Sequence, residues 1–397
     1  MILAHQIALD PTCKQRNLFA RAAGCARFAY NWGLNKWEEQ YKAGEEPNAI
    51  KVRKAFNNIK EAEFPWIYDS PKDANLQPFL DLGAGYSAWF KGIKGQGPKT
   101  EHPKYHKKGR NDSFYVSNDK IIVEAKRIRL PVIGWVKTRE ALRYEGKILS
   151  ARVKRIADKW FVSVQVEGEF RIPNSPKRES VGVDLGIKTA IKPSQGDSFN
   201  SPMPLKKALK KLKREQRVVS RRVKGSSNRR KASKKVAKIH ARVANIRKDF
   251  VHKATTQLCR ENQAVVIEDL NVAGMLKNHC LARAISDIGF GMFRTFMLYK
   301  SEKFGCALYV ADRWFPSSKR CHMCGEKKQH LDLSERTYIC EHCGLVEDRD
   351  LNAALNLEQY PRLFGEVTPV DTRTKVLRKR FRKASSVVES GTIMDHL

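Results

Sequence analysis

The chain is 397 residues long and carries 76 Lys and Arg against 42 Asp and Glu, a formal charge of +34. That length exceeds what one hydrophobic core usually organises, so two or three domains are expected, and a charge excess far beyond what solubility needs points to a polyanionic partner, nucleic acid above all. There is no run of about 18 apolar residues and no signal-peptide pattern, which excludes a membrane partner and predicts a cytoplasmic or nucleoplasmic protein.

In chain order, MILAHQIAL alternates as a first strand, and residues 12–43 show helical spacing through Leu18, Ala22, Cys25, Phe28, Trp32 and Trp37. That spacing assigns Phe28, Tyr30, Trp32 and Trp37 to core packing rather than to base stacking. Helical segments follow near 47–62 and 73–92, then a basic loop broken by Gly and Pro over 91–112. Short β-type runs come next: SFYVS, KIIVEA, RIRLPVIGWVKT, ILSARVKRIA and KWFVSVQVEGEF. A strand, a helical insert and then four or five strands predict a small β-barrel interrupted by helices. Residues 171–180 hold two prolines and no periodicity, and set a domain boundary.

Beyond it, SVGVDLGIKTAI is a nearly continuous apolar run suited to a strand covered on both faces. Residues 205–253 hold twenty Lys and Arg against Glu215 and Asp249 alone, yet Leu205, Leu209, Leu212 and Val219, then Val236, Ile239, Val243, Ile246 and Phe250, step by threes and fours. With GSSN as the turn, this predicts a helical hairpin with a thin apolar seam and basic outer faces that meet phosphates. A strand QAVVIEDL, a helix near 287–304 and a strand CALYVA follow. Residues 361–397, polar and basic without pattern, read as a disordered tail.

Three acids stand out. Asp184 lies inside the apolar VGVDLG and Glu268 at the end of AVVIED, where a charge is costly without a partner or ligand. Asp350 begins the helix LNAALNL, with Asn352 half a turn on and Asp348 as a candidate partner. Singly, each has a bland explanation as a strand-edge or helix-start charge. Together, two strand acids and one helix-start acid can converge above a mixed α/β sheet, where like charges demand divalent cations. Mg²⁺ suits such oxygen ligands, and two ions roughly 3.5–4 Å apart serve phosphodiester hydrolysis.

The nine cysteines divide. Cys13, Cys25, Cys259, Cys280 and Cys306 are scattered and expected to be small buried thiols. Cys321, Cys324, Cys340 and Cys343 form a C-x₂-C-x₁₅-C-x₂-C pattern that fits a closed, structural tetrahedral zinc site, with His322 and His342 pointing away from the metal.

VGVDLGIKTA, VVIEDLNVAGM, FPSSKRCHMCG with YICEHCG, and DRDLNAALN, in this order and spacing, resemble the split RuvC-type nuclease and zinc ribbon of the TnpB family. These are transposon-encoded RNA-guided DNA endonucleases related to type V CRISPR effectors. GCARFAYNWGLNKW and LPVIGWVKT extend the likeness over about residues 1–360.

The resemblance implies an α/β RNase H-like (RuvC) domain over 181–310 and 348–360, including the basic hairpin 205–253, with a Cys₄ zinc ribbon over 311–347. It also implies an N-terminal β-barrel wedge domain over 1–10 and 112–172 that carries a helical recognition insert over 11–111. Asp184, Glu268 and Asp350 then occupy the catalytic Mg²⁺-binding positions, for two ions, and the four cysteines hold one zinc. The implied partners are a guide RNA from the transposon end and double-stranded DNA with a short adjacent motif, in a prokaryotic cytoplasm at the nucleoid. A compact type V CRISPR effector, a strand-joining transposase and a DNA-binding regulatory protein are the alternatives.

Overall fold

A computed structural model describes residues 1–169, 178–332, 334–364 and 370. Most of the boundary 171–180 and most of the expected tail 361–397 therefore lie outside the described residues. The chain divides into two compact units, Met1–Phe170 and Arg171–Leu397.

In the first unit, β1 (Ile2–Asp10) leads into α1 (Cys13–Lys42). Thr12 starts that helix with a reciprocal capping box: its hydroxyl accepts from Gln15 N–H while the Gln15 side chain accepts from Thr12 N–H. α2 (Ala49–Glu63), capped by Asn48, and α3 (Lys72–Ile93) complete the helical insert. Tyr30 and Trp37 are buried there with Phe56 and Phe79, and Phe28 and Trp32 pack half-buried against them, as helical spacing predicted. The strands that follow are β2 (Ser113–Ser117), β3 (Ile122–Glu124), β4 (Arg127–Leu130), β5 (Gly134–Thr138), β6 (Lys147–Ile156) and β7 (Lys159–Glu167). With β1 they form an antiparallel sheet in the order β2-β6-β7-β1-β5-β4-β3.

Buried positions alternate along β1, β4 and β7, and the inward side chains join Phe19, Ala22 and Ala23 of α1 in one core. Among the described residues no ladder joins β2 to β3, so hydrogen bonding does not close the sheet into the expected barrel. The three-residue β3 pairs with β4 alone.

In the second unit, β8 (Arg178–Asp184) ends earlier than the apolar run SVGVDLGIKTAI suggested. The chain folds back at Gly186, where a Cβ would stand 2.7 Å from the Thr189 carbonyl oxygen. β9 (Lys192–Pro193) then returns antiparallel to β8. The basic hairpin is α4 (Pro204–Ser220) and α5 (Ser227–Glu261), with Leu212, Val236 and Val243 buried along its seam. β10 (Asn262–Glu268) lies parallel to β8. After α6 (Val272–Met275), α7 (Ala282–Ile288) and α8 (Phe290–Phe304), β11 (Ala307–Ala311) lies parallel to β10. The sheet order is β11-β10-β8-β9, a mixed α/β arrangement.

The hairpin is anchored by one buried acid. α4 starts at Pro204 without a side-chain cap of its own, and Leu205 and Lys206 N–H donate instead to the Asp287 carboxylate of α7 at 2.9 and 3.0 Å. Arg247 of α5 faces the same carboxylate at 3.6 Å and donates to the Asp287 carbonyl. Asp287 thus caps α4 and holds α5 at once.

The sheet is covered on both faces. Val181, Val183, Val265 and Ile267 pack with α5, α7 and α8 in one core, while Val266 and Ala311 pack against Leu357 and Tyr360 on the other side. Those last two residues belong to α9 (Arg349–Leu363), which follows the hairpin β12 (Thr337–Ile339) and β13 (Val346–Asp348). α9 rests directly on the backbone of β8, because a Cβ on Gly182 would fall 1.9 Å from the Ala354 carbonyl oxygen and 2.3 Å from Glu358 N. Glu358 also accepts from the Ser180 hydroxyl at 3.2 Å, so α9 runs antiparallel to β8.

Of the five scattered thiols, Cys25, Cys259 and Cys306 are buried as expected, whereas Cys13 and Cys280 are exposed. Cys13 opens α1 and Cys280 sits on the connection before α7.

Because only hydrogen fits between β8 and α9, Gly182→Val should lift the helix from the sheet and destabilise the unit by about 2 kcal/mol or more. Thermal unfolding should then show a midpoint lowered by roughly 5 °C or more, and an unchanged midpoint would contradict the contact.

Candidate active site and metal centre

The parallel register pairs Val183 with Ile267, so Asp184 and Glu268 are the next residues on two adjacent strands and emerge together at the C-terminal edge of the sheet. Alternation turns both toward the face of Gly182 and Val266, the face that α9 covers. Asp350 comes to the same edge because α9 is antiparallel to β8 and pinned at Gly182 one turn later; its Oδ2 lies 3.8 Å from where a Cβ on Gly186 would stand. Three segments far apart in sequence thus deliver three acids to one place.

Electrostatics follow. Asp184 is pushed up to about 8 by burial first and then by the Glu268 and Asp350 charges, with a Leu185 backbone hydrogen bond and Arg349 acting the other way. Burial also raises Glu268, and the hydrogen bond from the Ser317 hydroxyl opposes it. The adjacent Asp269 behaves differently. Burial would raise it, but Arg294 and Arg313 outweigh that and hold it below the usual carboxylate range, Arg313 Nη2 donating at 2.8 Å. Asp269 is therefore an ion-paired brace, whereas Asp184 and Glu268 are half-buried acids, Asp184 facing the charges of Glu268 and Asp350.

Asp348 and Asp350 separate as clearly. Asp348 is the N-cap of α9, its Oδ1 accepting from Leu351 N–H at 2.9 Å. Its carboxylate serves the helix, and Asp350 is the acid whose charge reaches Asp184. Carboxylates gathered at one sheet edge, with Asp184 raised by the other two charges, have the donor chemistry that a hard divalent cation takes.

The four sulfurs of Cys321, Cys324, Cys340 and Cys343 all lie within 4.8 Å of one another, with Cys321–Cys343 at 3.6 Å and Cys324–Cys340 at 3.5 Å. Tetrahedral Zn–S bonds of about 2.3 Å would set sulfurs about 3.8 Å apart, so the donor set fits zinc. The two turns are built alike: Cys321 N–H donates to Glu326 O and Gly325 N–H to Cys321 O, and Cys340 and Gly344 repeat the pattern through Leu345 O. Gly325 and Gly344 carry φ of 80° and 73°, a left-handed geometry that requires glycine at both turns.

Side chains of α9 reach across to the first cysteine turn. Asn356 donates to the Ser317 and Arg320 carbonyls at 2.9 and 2.6 Å, and Asn352 donates to Arg320 O while accepting from His322 N–H at 3.1 Å. Asn352 thus grips the first cysteine turn instead of supporting Asp350. His322 likewise faces α9, its Nδ1 3.0 Å from Asn352 Oδ1. Two asparagines at helical spacing inside the apolar LNAALNL were the available signal, since both are fully buried.

Among the described residues no helix is long and apolar enough to cross a membrane. Residues 161–279 match a family model described as "Probable transposase" (OrfB_IS605), 290–357 one described as "Cas12f1-like, TNB domain", and 1–46 one described as "Helix-turn-helix domain". Over that last stretch the structure has a strand and one long helix.

A Streptomyces pristinaespiralis protein named "Putative RNA-guided DNA endonuclease" is 35% identical over 87% of this chain and 86% of its own. The Escherichia coli K12 protein "Putative RNA-guided DNA endonuclease InsQ" is 32% identical over 89% and 91%. Cas12f1, solved with sgRNA and target DNA, shares the fold at a TM-score of 0.51 and 14% identity, over 87% of this chain and 83% of its own. With relatives of that identity spanning nearly their full length, the chain belongs to the TnpB family of transposon-encoded RNA-guided DNA endonucleases.

Proposed function

We propose that the chain is a Mg²⁺-dependent endonuclease that cuts DNA paired to a guide RNA, with Asp184, Glu268 and Asp350 as its catalytic carboxylates. The observation that supports this reading is the meeting of the three acids at one sheet edge, Asp184 raised by burial and by the other two charges. Two bound Mg²⁺ ions would stabilise the attacking and leaving oxygens of phosphodiester hydrolysis. The protein's part is to hold those ions with strand-end and helix-start acids, to orient Glu268 through Ser317, and to keep Asp269 out of the site through Arg294 and Arg313. The zinc ribbon over 311–347 is structural in this reading.

Base pairing with a guide RNA from the transposon end would read the target, and the protein would read a short motif beside it. The basic faces of α4 and α5 and the loop 91–112 suit the phosphates of the guide–target duplex. A second reading, a compact type V CRISPR effector, is favoured by the match of residues 290–357 and by the Cas12f1 fold. The two differ in the origin of the RNA. Intact acids at all three positions weigh against a regulator that binds without cutting.

Asp184→Ala should lower Mg²⁺-dependent target cleavage by about 10³-fold or more, equivalent to about 4 kcal/mol of transition-state stabilisation, while guide RNA still copurifies; undiminished cleavage would remove Asp184 from the mechanism. Elemental analysis should find one zinc per chain in the wild type and none in Cys340→Ser, with a lower unfolding midpoint. Sequencing of copurified RNA should return one dominant transposon-end sequence. A repeat-derived RNA would favour the CRISPR reading, and a random spread would refute guided action.

A further inference from the structure

We propose that Trp314 is a stacking platform for one base of the DNA strand that enters the carboxylate centre, an inference that rests on reading that centre as a nuclease site. Trp314 is 85% exposed, the most exposed of the large apolar side chains among the described residues. A bare indole presents a flat π-face on which a base can stack.

Its position is specific. The segment 312–317 leaves β11 at Ala311, the ladder partner of Glu268, and returns at Ser317, whose hydroxyl donates to the Glu268 carboxylate. Both ends of the loop therefore touch the same catalytic acid, and Trp314 sits three residues from each. Three residues span at most about 10 Å, so the indole is carried at the rim of the site.

The loop is also rigid, so the exposure belongs to a fixed conformation. Asp312 N–H donates to the Tyr360 hydroxyl at 3.1 Å, and Trp314 N–H donates to Asp312 Oδ1 at 2.8 Å. Arg313 binds both the carbonyl and the carboxylate of Asp269, and Phe315 packs edge-on against Tyr360 at 4.9 Å. Asn356 holds the Ser317 carbonyl. The neighbours of Trp314 are each held by a hydrogen bond or ring contact, and the indole is left exposed.

Chemistry then selects the occupant. Arg313, the residue before Trp314, has a half-exposed guanidinium, and the chain carries a formal charge of +34. An exposed aromatic face on a strongly basic chain is the combination that binds single-stranded nucleic acid, the base on the ring and the phosphates drawn by the surrounding cations. A strand presented to three carboxylates for cutting has to be positioned base by base, and a rigid stack fixes the scissile phosphate without reading sequence.

The test uses the full chain in the Asp184→Ala background and single-stranded oligodeoxynucleotides carrying 2-aminopurine at successive positions. One position should be quenched on binding, restored in emission by Trp314→Ala, and quenched again by Trp314→Phe; binding should weaken about tenfold with alanine. Emission and affinity unchanged by Trp314→Ala would overturn the proposal. So would a fall in the unfolding midpoint in Trp314→Ala without loss of quenching, since that marks a packing role. With guide RNA and Asp184 intact, Trp314→Ala should slow cutting about tenfold at unchanged capture of duplex target. No cutting by the wild type would defeat the nuclease reading, and the fluorescence experiment would still decide the stacking.

Discussion

The contact between the β8 backbone at Gly182 and the α9 backbone at Ala354 and Glu358 fixes the rest of the second unit. A helix normally stands off a sheet by the thickness of two side-chain layers. Here one layer is missing, and the close approach sets both the height and the register of α9. That register decides which of its acids reaches the sheet edge. With Gly182 beneath Ala354, the residue one turn earlier is Asp350, while Asp348 stands before the helix and caps it.

The site is an electrostatic island in a chain of opposite character. A protein with a formal charge of +34 gathers three half-buried acids at one sheet edge, with Arg349 as the cation that acts on Asp184. Ion pairing goes to Asp269, through Arg294 and Arg313. The distinction separates two adjacent residues of one sequence: Asp269 is ion-paired and fixed, whereas Glu268 accepts from the Ser317 hydroxyl and has a like-charged neighbour in Asp184. In the proposed reading a polyanionic substrate would be drawn to the basic surfaces, and divalent cations would reconcile its phosphates with the acids.

Much of this was legible in the sequence because it rests on local rules. Helical spacing located α1, α2 and α3, Cys spacing located the four-sulfur cluster, and charged residues inside apolar runs drew attention to Asp184 and Glu268. What sequence left open depends on contacts between distant segments. Gly182 looks like any strand glycine until α9 is placed over it. The end of β8 at Asp184 depends on a turn at Gly186 that an apolar continuation hid. Asn352 read as an aid to Asp350, but its partners are the Arg320 carbonyl and the His322 N–H, thirty residues away in sequence. Ser317 gave no sign of its bond to Glu268, and the open edge between β2 and β3 follows from pairing, which alternation alone does not specify.

The two cysteine turns and the asparagine pair have an evolutionary corollary. The ribbon leaves the sheet after Ser317 and rejoins α9 at Arg349, and both junctions are clamped, by Asn352 and Asn356 on one side and by Arg349 N–H bound to Arg336 O on the other. Everything between the clamps is a module hung from a fixed frame. Arg336 lies between the two Cys pairs and holds the start of α9, so changes of length in that stretch are tolerated only where they keep this bond and the Asp350 turn that it positions.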